Sequence, residues 1–181
     1  AEERIVRIIE GKSSEKIKNK DEGEGYPADL EEYALDLIRQ HIARKFKGHR
    51  LAYLVEAILQ AEGYFTYRSP EGPDGGVDIL AGRGPLGFDE PRLAVQVKSG
   101  DAPVGGPELN QLRGAMGKLN ARVGLFVSWG GFKGAAEKEK AQSFFEIRLW
   151  DANDLIQALL ANYERLPDDI QAEIPLKRIW I

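Results

Sequence analysis

Residues 93–100 read LAVQVKSG and residues 74–82 read DGGVDILAG. Both are short aliphatic runs bounded by glycine, the pattern of strands in a sheet covered on its two faces. Three polar residues interrupt them: Asp78 in one run, Gln96 and Lys98 in the other. Strand side chains alternate in direction, so Gln96 and Lys98 leave the same face of one strand. If the Asp78 strand is its neighbour, a carboxylate, an amide and an ammonium converge, and burying them unsatisfied costs several kcal/mol.

Outward from these runs the periodicity changes. YFTYRS (64–69) reads as a further strand, PEGPDGG (70–76) as turn-formers, and GRGPLGFDEP (82–91) as a loop. Upstream, Leu30, Tyr33, Ala34, Leu37, Ile38, Ile42 and Phe46 recur at helical spacing, with an acidic first turn and Gly48 as the stop. Leu51, Leu54, Val55, Ile58 and Leu59 make a second helical stripe, ended by Gly63. Downstream, Pro107 to Leu119 reads as a helix, 121–129 as a strand, 134–145 as a helix, 146–150 as a short strand, and Asn153 to Leu166 as a helix opened by Asp151. Two helices, three strands and then alternation predict an α/β fold in three layers, a mixed central sheet flanked by helices. Residues 1–25 are polar and charged and are expected to be a flexible or linker segment, leaving 26–181 as the domain. The chain starts at Ala1 rather than Met, which reads as a processed or excised start with an upstream domain missing.

Composition narrows the chemistry. A chain of 181 residues, 43% apolar, holds one core and not two ordinary domains. With no cysteine there is no disulfide, thiolate metal site or cysteine nucleophile, which fits the cytoplasm. The only histidines, His41 and His49, cannot build a zinc cluster or a serine triad. No stretch matches a phosphate-binding GxxxxGK[ST] loop, and no window of about 18 apolar residues suggests a membrane span. Catalysis therefore falls to carboxylates, amides and lysine. Net charge is −4, yet residues 92–140 carry 8 basic against 4 acidic side chains, and Arg39 to Arg50 holds five cations and no acid. Local affinity for phosphate survives the acidic total.

A hard divalent cation takes oxygen ligands, and the Asp78 carboxylate, the Gln96 amide oxygen and the Val97 backbone carbonyl offer three. Magnesium suits that set, with manganese as a substitute, and Lys98 then orients and deprotonates or polarises a water attacking a phosphodiester. The residues alone leave a second reading open: Asp78 and Lys98 as a structural ion pair, with Gln96 as a hydrogen-bonding edge residue.

GPDGGVDILAG, followed eighteen residues after Asp78 by Gln96-Val97-Lys98-Ser99, resembles the Mrr-like catalytic domain, a branch of the PD-(D/E)xK restriction-endonuclease-like nucleases with glutamine in the usual acidic position. LVEAILQAEGY before the motif, and GLFVSWGGF, a helix and IRLWD after it, extend the likeness over about residues 50–160. The resemblance implies a restriction-endonuclease-like fold, with Asp78 as central metal ligand, Gln96 in the second ligand position and Lys98 as the catalytic lysine. Asp74, with Gly75 and Gly76, matches the family's DGG turn, where the aspartate either positions a metal-bound water or caps the turn.

One position departs from the pattern. Family members resemble FExLV at the start of the second helix, where the glutamate serves the metal site, whereas this chain has Leu51-Ala52. Glu56, one turn further on, either reaches the site or lies on a solvated flank. Two weaker candidates remain. Ser128 ends an apolar strand, where its hydroxyl either meets a DNA phosphate or serves an ordinary turn, and Gln111 lies on the helix after Lys98, either near the cleft or simply exposed. The implied activity is a magnesium-dependent endonuclease restricting foreign or modified, including methylated, double-stranded DNA, with repair or recombination as the second role. A catalytically weak DNA-binding module is the reading from another class. Two strands need two sites, so a homodimer on DNA is expected. The apolar tail, Ile174, Leu176, Ile179, Trp180 and Ile181, either forms that contact or packs on its own domain.

Overall fold

The two quoted stretches supply two neighbouring strands of one five-stranded sheet. The computed structural model describes residues 5–9, 30–70 and 76–180, with side chains described over 30–70 and 76–177. Chain elements fall into two units, residues 46–166 and residues 1–45 with 167–181.

In the larger unit, helix α2 (His49–Ala61) precedes strands β2 (Phe65–Arg68), β3 (Ile79–Arg83) and β4 (Asp89–Lys98). Helix α3 (Gly106–Lys118), β5 (Val123–Ser128), helix α4 (Ala135–Gln142), β6 (Ile147–Trp150) and helix α5 (Ala152–Asn162) follow. The strands lie in the order β2-β3-β4-β5-β6. The first three form an antiparallel meander, and β4, β5 and β6 are parallel, joined by helical crossovers. The mixed sheet with helices on both faces expected above is what forms.

Burial follows the alternation. Ala94, Phe126, Ile147 and Leu149 point to one face, where Leu109, Leu112 and Met116 of α3 and Ala136 of α4 close over them. Ile79, Val95, Leu125 and Val127 point to the other face and are buried, and α2 and α5 pack on each other beside it through stripes that include Leu51, Val55, Ile58, Leu155 and Leu159. Each fully buried Leu or Ile contributes about 1.5–3 kcal/mol relative to exposure. β4 is central, so its end carries the site.

Within the larger unit several element ends differ from the sequence reading. β4 starts at Asp89 rather than Leu93, because the expected loop closes tightly at Gly84 and Gly87, both at positive φ, with the Gly87 N–H donating to the Gly84 carbonyl at 3.2 Å. α4 stops at Gln142, leaving Phe144 and Phe145 in the turn before β6. The helix expected to run to Leu166 ends at Asn162 in a 3-10 turn over Tyr163–Arg165.

In the smaller unit, strands β1 (Ile5–Ile9) and β7 (Leu176–Trp180) pair antiparallel, Ile5 opposite Trp180, and helix α1 (Leu30–Lys45) packs against β1. Helix α6 is Asp168–Glu173, and its Glu173 carbonyl lies 2.6 Å from His41 Nε2 of α1. Thus Ile5–Ile9 within the expected linker is a strand, while residues 1–4 and 10–29 lie outside the described residues. Of the apolar tail, Leu176–Trp180 pairs with β1 and Ile174 is fully buried, while residue 181 lies outside the described residues.

Candidate active site at the end of the central strand

β3 and β4 are in register at Ile79 opposite Val95, and the Asp78 N–H still donates to the Val95 carbonyl at 2.8 Å. One step further the two strands part. The Val97 N–H finds the Asp78 carboxylate instead of a backbone carbonyl, donating to Oδ2 at 2.7 Å. Asp78 therefore plugs the fork, its side chain drawn towards the plane of the sheet by the ladder group it satisfies. In an extended strand the N–H and C=O of one residue leave on the same side, so the Val97 carbonyl is directed to the same edge of β4 as this carboxylate.

Gln96, paired with Phe126, is 2% exposed, and its Oε1 has no hydrogen-bond partner among the described residues. A buried amide oxygen without a donor costs about 1–3 kcal/mol, so the fold holds it there against its own preference. Gly76, at φ 89°, passes beside it: a Cβ on Gly76 would stand 3.8 Å from Gln96 Nε2. Lys98 follows on the same face and is exposed, with its carbonyl accepting the Trp129 N–H at 2.8 Å and its backbone opposite Ser128. The strand thus runs from a sealed amide to an open ammonium in two residues. Gln96 and Lys98 share a face of β4, as strand alternation requires, and the Asp78 carboxylate meets the same strand end at Val97.

The weaker candidates separate from this cluster. Glu56 is buried rather than solvated, 9% exposed, and both its oxygens are engaged: Oε2 by Arg68 Nε at 2.8 Å and Oε1 by the Thr66 hydroxyl at 3.0 Å. Thr66 and Arg68 pair with Ala81 and Ile79, so they sit on the α2 face of the sheet, opposite that of Gln96 and Lys98. Ala52, the position at which the resemblance led to the expectation of an acid, is buried. The Ser128 hydroxyl, fully buried, donates to the Gly131 carbonyl at 2.9 Å and fastens the strand-to-helix turn. Gln111 is exposed on α3. Asp74 lies outside the described residues.

Two serines reach the site without having been read from the sequence. The Ser69 hydroxyl donates to the Val77 carbonyl at 2.9 Å, and the Ser69 N–H donates to the Asp78 carbonyl at 2.8 Å. Ser99 Oγ accepts the N–H of Gly48, the N-cap of α2, at 2.7 Å, so the residue after Lys98 docks the start of that helix. Serine at a strand end signals local backbone bonding in general but not which carbonyl it reaches.

The chemistry of the donor set fits a hard cation. One carboxylate, one orphaned amide oxygen and one strand-end carbonyl are oxygen ligands of mixed charge, whereas no group of three His, Cys, Asp or Glu side chains among the described residues offers an alternative metal site. No helix among the described residues is long and apolar enough to cross a membrane.

The Mrr catalytic-domain model, described as restriction endonuclease, matches residues 43–159. No curated protein matches the chain. Among solved structures, the DNA modification-dependent restriction endonuclease AspBHI is similar, with 21% identity and a TM-score of 0.54 over 82% of this chain and 40% of that one. The MspJI restriction endonuclease, solved in complex with a 27-mer oligonucleotide, is similar at 18% identity and a TM-score of 0.54, over 85% of this chain and 39% of that one. The chain thus spans about two fifths of the length of each structure, and both likenesses speak for the fold.

Proposed function

We propose, from the premise that this chain belongs to the Mrr catalytic-domain family of restriction endonucleases, that it is a magnesium-dependent DNA endonuclease acting on foreign or modified double-stranded DNA. The observation that carries the reading is the buried, partnerless Gln96 Oε1 beside a carboxylate fastened into the fork of β3 and β4. Asp78, Gln96 Oε1 and the Val97 carbonyl are the residues that would hold the cation, magnesium or manganese. When bound, it supplies positive charge to the phosphate as negative charge develops there. Asp78 needs no rearrangement to serve, because the Val97 N–H already sets its orientation. Lys98, exposed at the strand end, orients the attacking water and takes or polarises its proton. The residues between 92 and 140, with their excess of cations, face a polyanion favourably.

Metal-dependent nicking of supercoiled plasmid tests the proposal. Wild-type protein nicks in magnesium, and Lys98→Ala loses about 10²–10⁴ in rate while keeping its fold and DNA affinity. Asp78→Asn loses metal-dependent cleavage because the one described carboxylate of the set is gone. Wild-type turnover by Lys98→Ala sinks the assignment.

A second reading is favoured by Ala52 and by the commitment of Glu56 to Arg68, which leave the site one acid short. Under it the chain is a DNA-binding module of weak activity. DNA binding without nicking by the wild type in either magnesium or manganese selects it.

A further inference from the structure

At the fork, the backbone that carries the Asp78 carboxylate is bonded twice by Ser69, the residue that follows strand β2. Asp78 stands just before β3, where the ladder is opening, and the placement of its backbone contributes to where its carboxylate lies. The N–H of Asp78 is tied to Val95 in β4 on one side. Both carbonyls that flank the Asp78 Cα, those of Val77 and Asp78, are gripped by a single residue. The Ser69 hydroxyl takes that of Val77 at 2.9 Å, and the Ser69 N–H takes that of Asp78 at 2.8 Å. Ser69 is in turn the residue after Arg68, which is anchored to α2 through Glu56 at 2.8 Å and stacked over Tyr53, its guanidinium 5.1 Å from the ring centroid. A continuous chain of contacts therefore runs from helix α2 through edge strand β2 to the backbone of the ligand.

We propose that Ser69 is a positioning residue of the metal site: by holding the Val77 and Asp78 carbonyls it sets the Asp78 carboxylate on the Val97 N–H, and so keeps the site formed before any cation arrives. The inference rests on the reading of Asp78 as a metal ligand. It also explains the placement of Glu56, which supports the site through the edge strand, not as a ligand. Ser69 is half-buried, so its loss removes one hydroxyl without opening the core. Alanine leaves the Val77 carbonyl without its donor, whereas threonine retains the donor.

The full chain is compared as wild type, Ser69→Ala, Ser69→Thr and Asp78→Asn, with two readouts that do not involve cleavage. In metal-free protein, hydrogen exchange of the Val97 amide, which reports its bond to Asp78 Oδ2, is expected to speed up about 10-fold or more in Ser69→Ala. The Leu155 amide of α5, bonded to the Asp151 carbonyl, is expected to keep its rate. With manganese alone as probe, followed by electron paramagnetic resonance, Ser69→Ala is expected to bind roughly 10-fold more weakly, and Ser69→Thr to return to the wild-type value. Exchange that rises equally at Val97 and Leu155 makes Ser69 merely structural and overturns the proposal. So does unchanged manganese affinity in Ser69→Ala while Asp78→Asn weakens binding. Should Asp78→Asn bind manganese as the wild type does, the ligand reading itself fails, and unchanged exchange at Val97 in Ser69→Ala would then remove the positioning role as well.

Discussion

Gln96 carries the tension of this site. Its amide is sealed under the Gly76 turn with the oxygen unsatisfied, a cost that an apolar residue would avoid and that a cation would relieve. Glutamine in place of an acid leaves the set with one described carboxylate, that of Asp78. Gln96→Glu restores a charge at the same length. The new carboxylate takes the buried place of an amide oxygen that has no hydrogen-bond partner among the described residues, so thermal stability in chelator falls, while the attraction to a divalent cation grows. The expected outcome is a magnesium affinity about 10-fold higher by titration calorimetry, since even about 1.4 kcal/mol of added attraction is tenfold and a unit charge in a partly screened site supplies that. Weaker binding in Gln96→Glu refutes the charge argument. Its cleavage rate is a separate matter, because a glutamate beside Lys98 can hold the ammonium in an ion pair.

Two connections set where the elements meet. The β3–β4 hairpin closes because Gly82 has no side chain: a Cβ there would stand 2.0 Å from the Gly87 carbonyl oxygen, backbone that cannot rotate away. Gly82→Ala must open the turn, and a loss of about 2 kcal/mol or more is expected by chemical denaturation. At the opposite side of the sheet, Arg113 of α3 reaches across to α4 and its following turn, donating to Glu139 at 2.7 Å and Ser143 Oγ at 2.6 Å, with Glu146 at 3.5 Å. The Glu139 hydrogen bond raises the Arg113 pKa above its ordinary value, so the guanidinium stays charged. Arg113 is about a quarter exposed, which screens the pairs. Arg113→Ala is expected to cost about 1–2 kcal/mol in the same measurement, because buried Ser143 also loses a donor, while magnesium affinity stays at the wild-type value. A stability unchanged within error would mean the clamp is solvent-neutral.

For the whole molecule, charge and stoichiometry are what matter. The chain is acidic overall, so under the proposed function DNA is held by local cations, and binding is expected to weaken steeply with added salt. A nuclease site of the proposed kind hydrolyses one strand. Breaking both strands takes two copies facing antiparallel strands, most simply across a twofold axis. Linearisation of supercoiled plasmid is therefore expected to depend more steeply than first order on protein concentration. Strictly first-order double-strand cleavage by a species that stays monomeric on DNA in ultracentrifugation rules out the paired-site arrangement.

The sequence by itself determined the strand and helix order of residues 49–162, and with it a mixed sheet covered on both faces, because the change from helical to alternating periodicity at Tyr64 and the crossovers after Lys98 admit few other layouts. It also determined that Gln96 and Lys98 share a face, since strand alternation leaves no freedom two residues apart. Element ends were less legible: Gly84 and Gly87 close a hairpin that reads as a loop in sequence, and β1 pairs with a tail far away in the chain. Only the tertiary structure decided that Asp78 plugs the fork at Val97, that Gln96 Oε1 is left without a donor, and that Glu56 serves Arg68. The reason is physical. Periodicity reports which face a side chain takes, whereas hydrogen bonds between residues ten to twenty apart depend on where two strands diverge, and divergence is set by packing that no local pattern encodes.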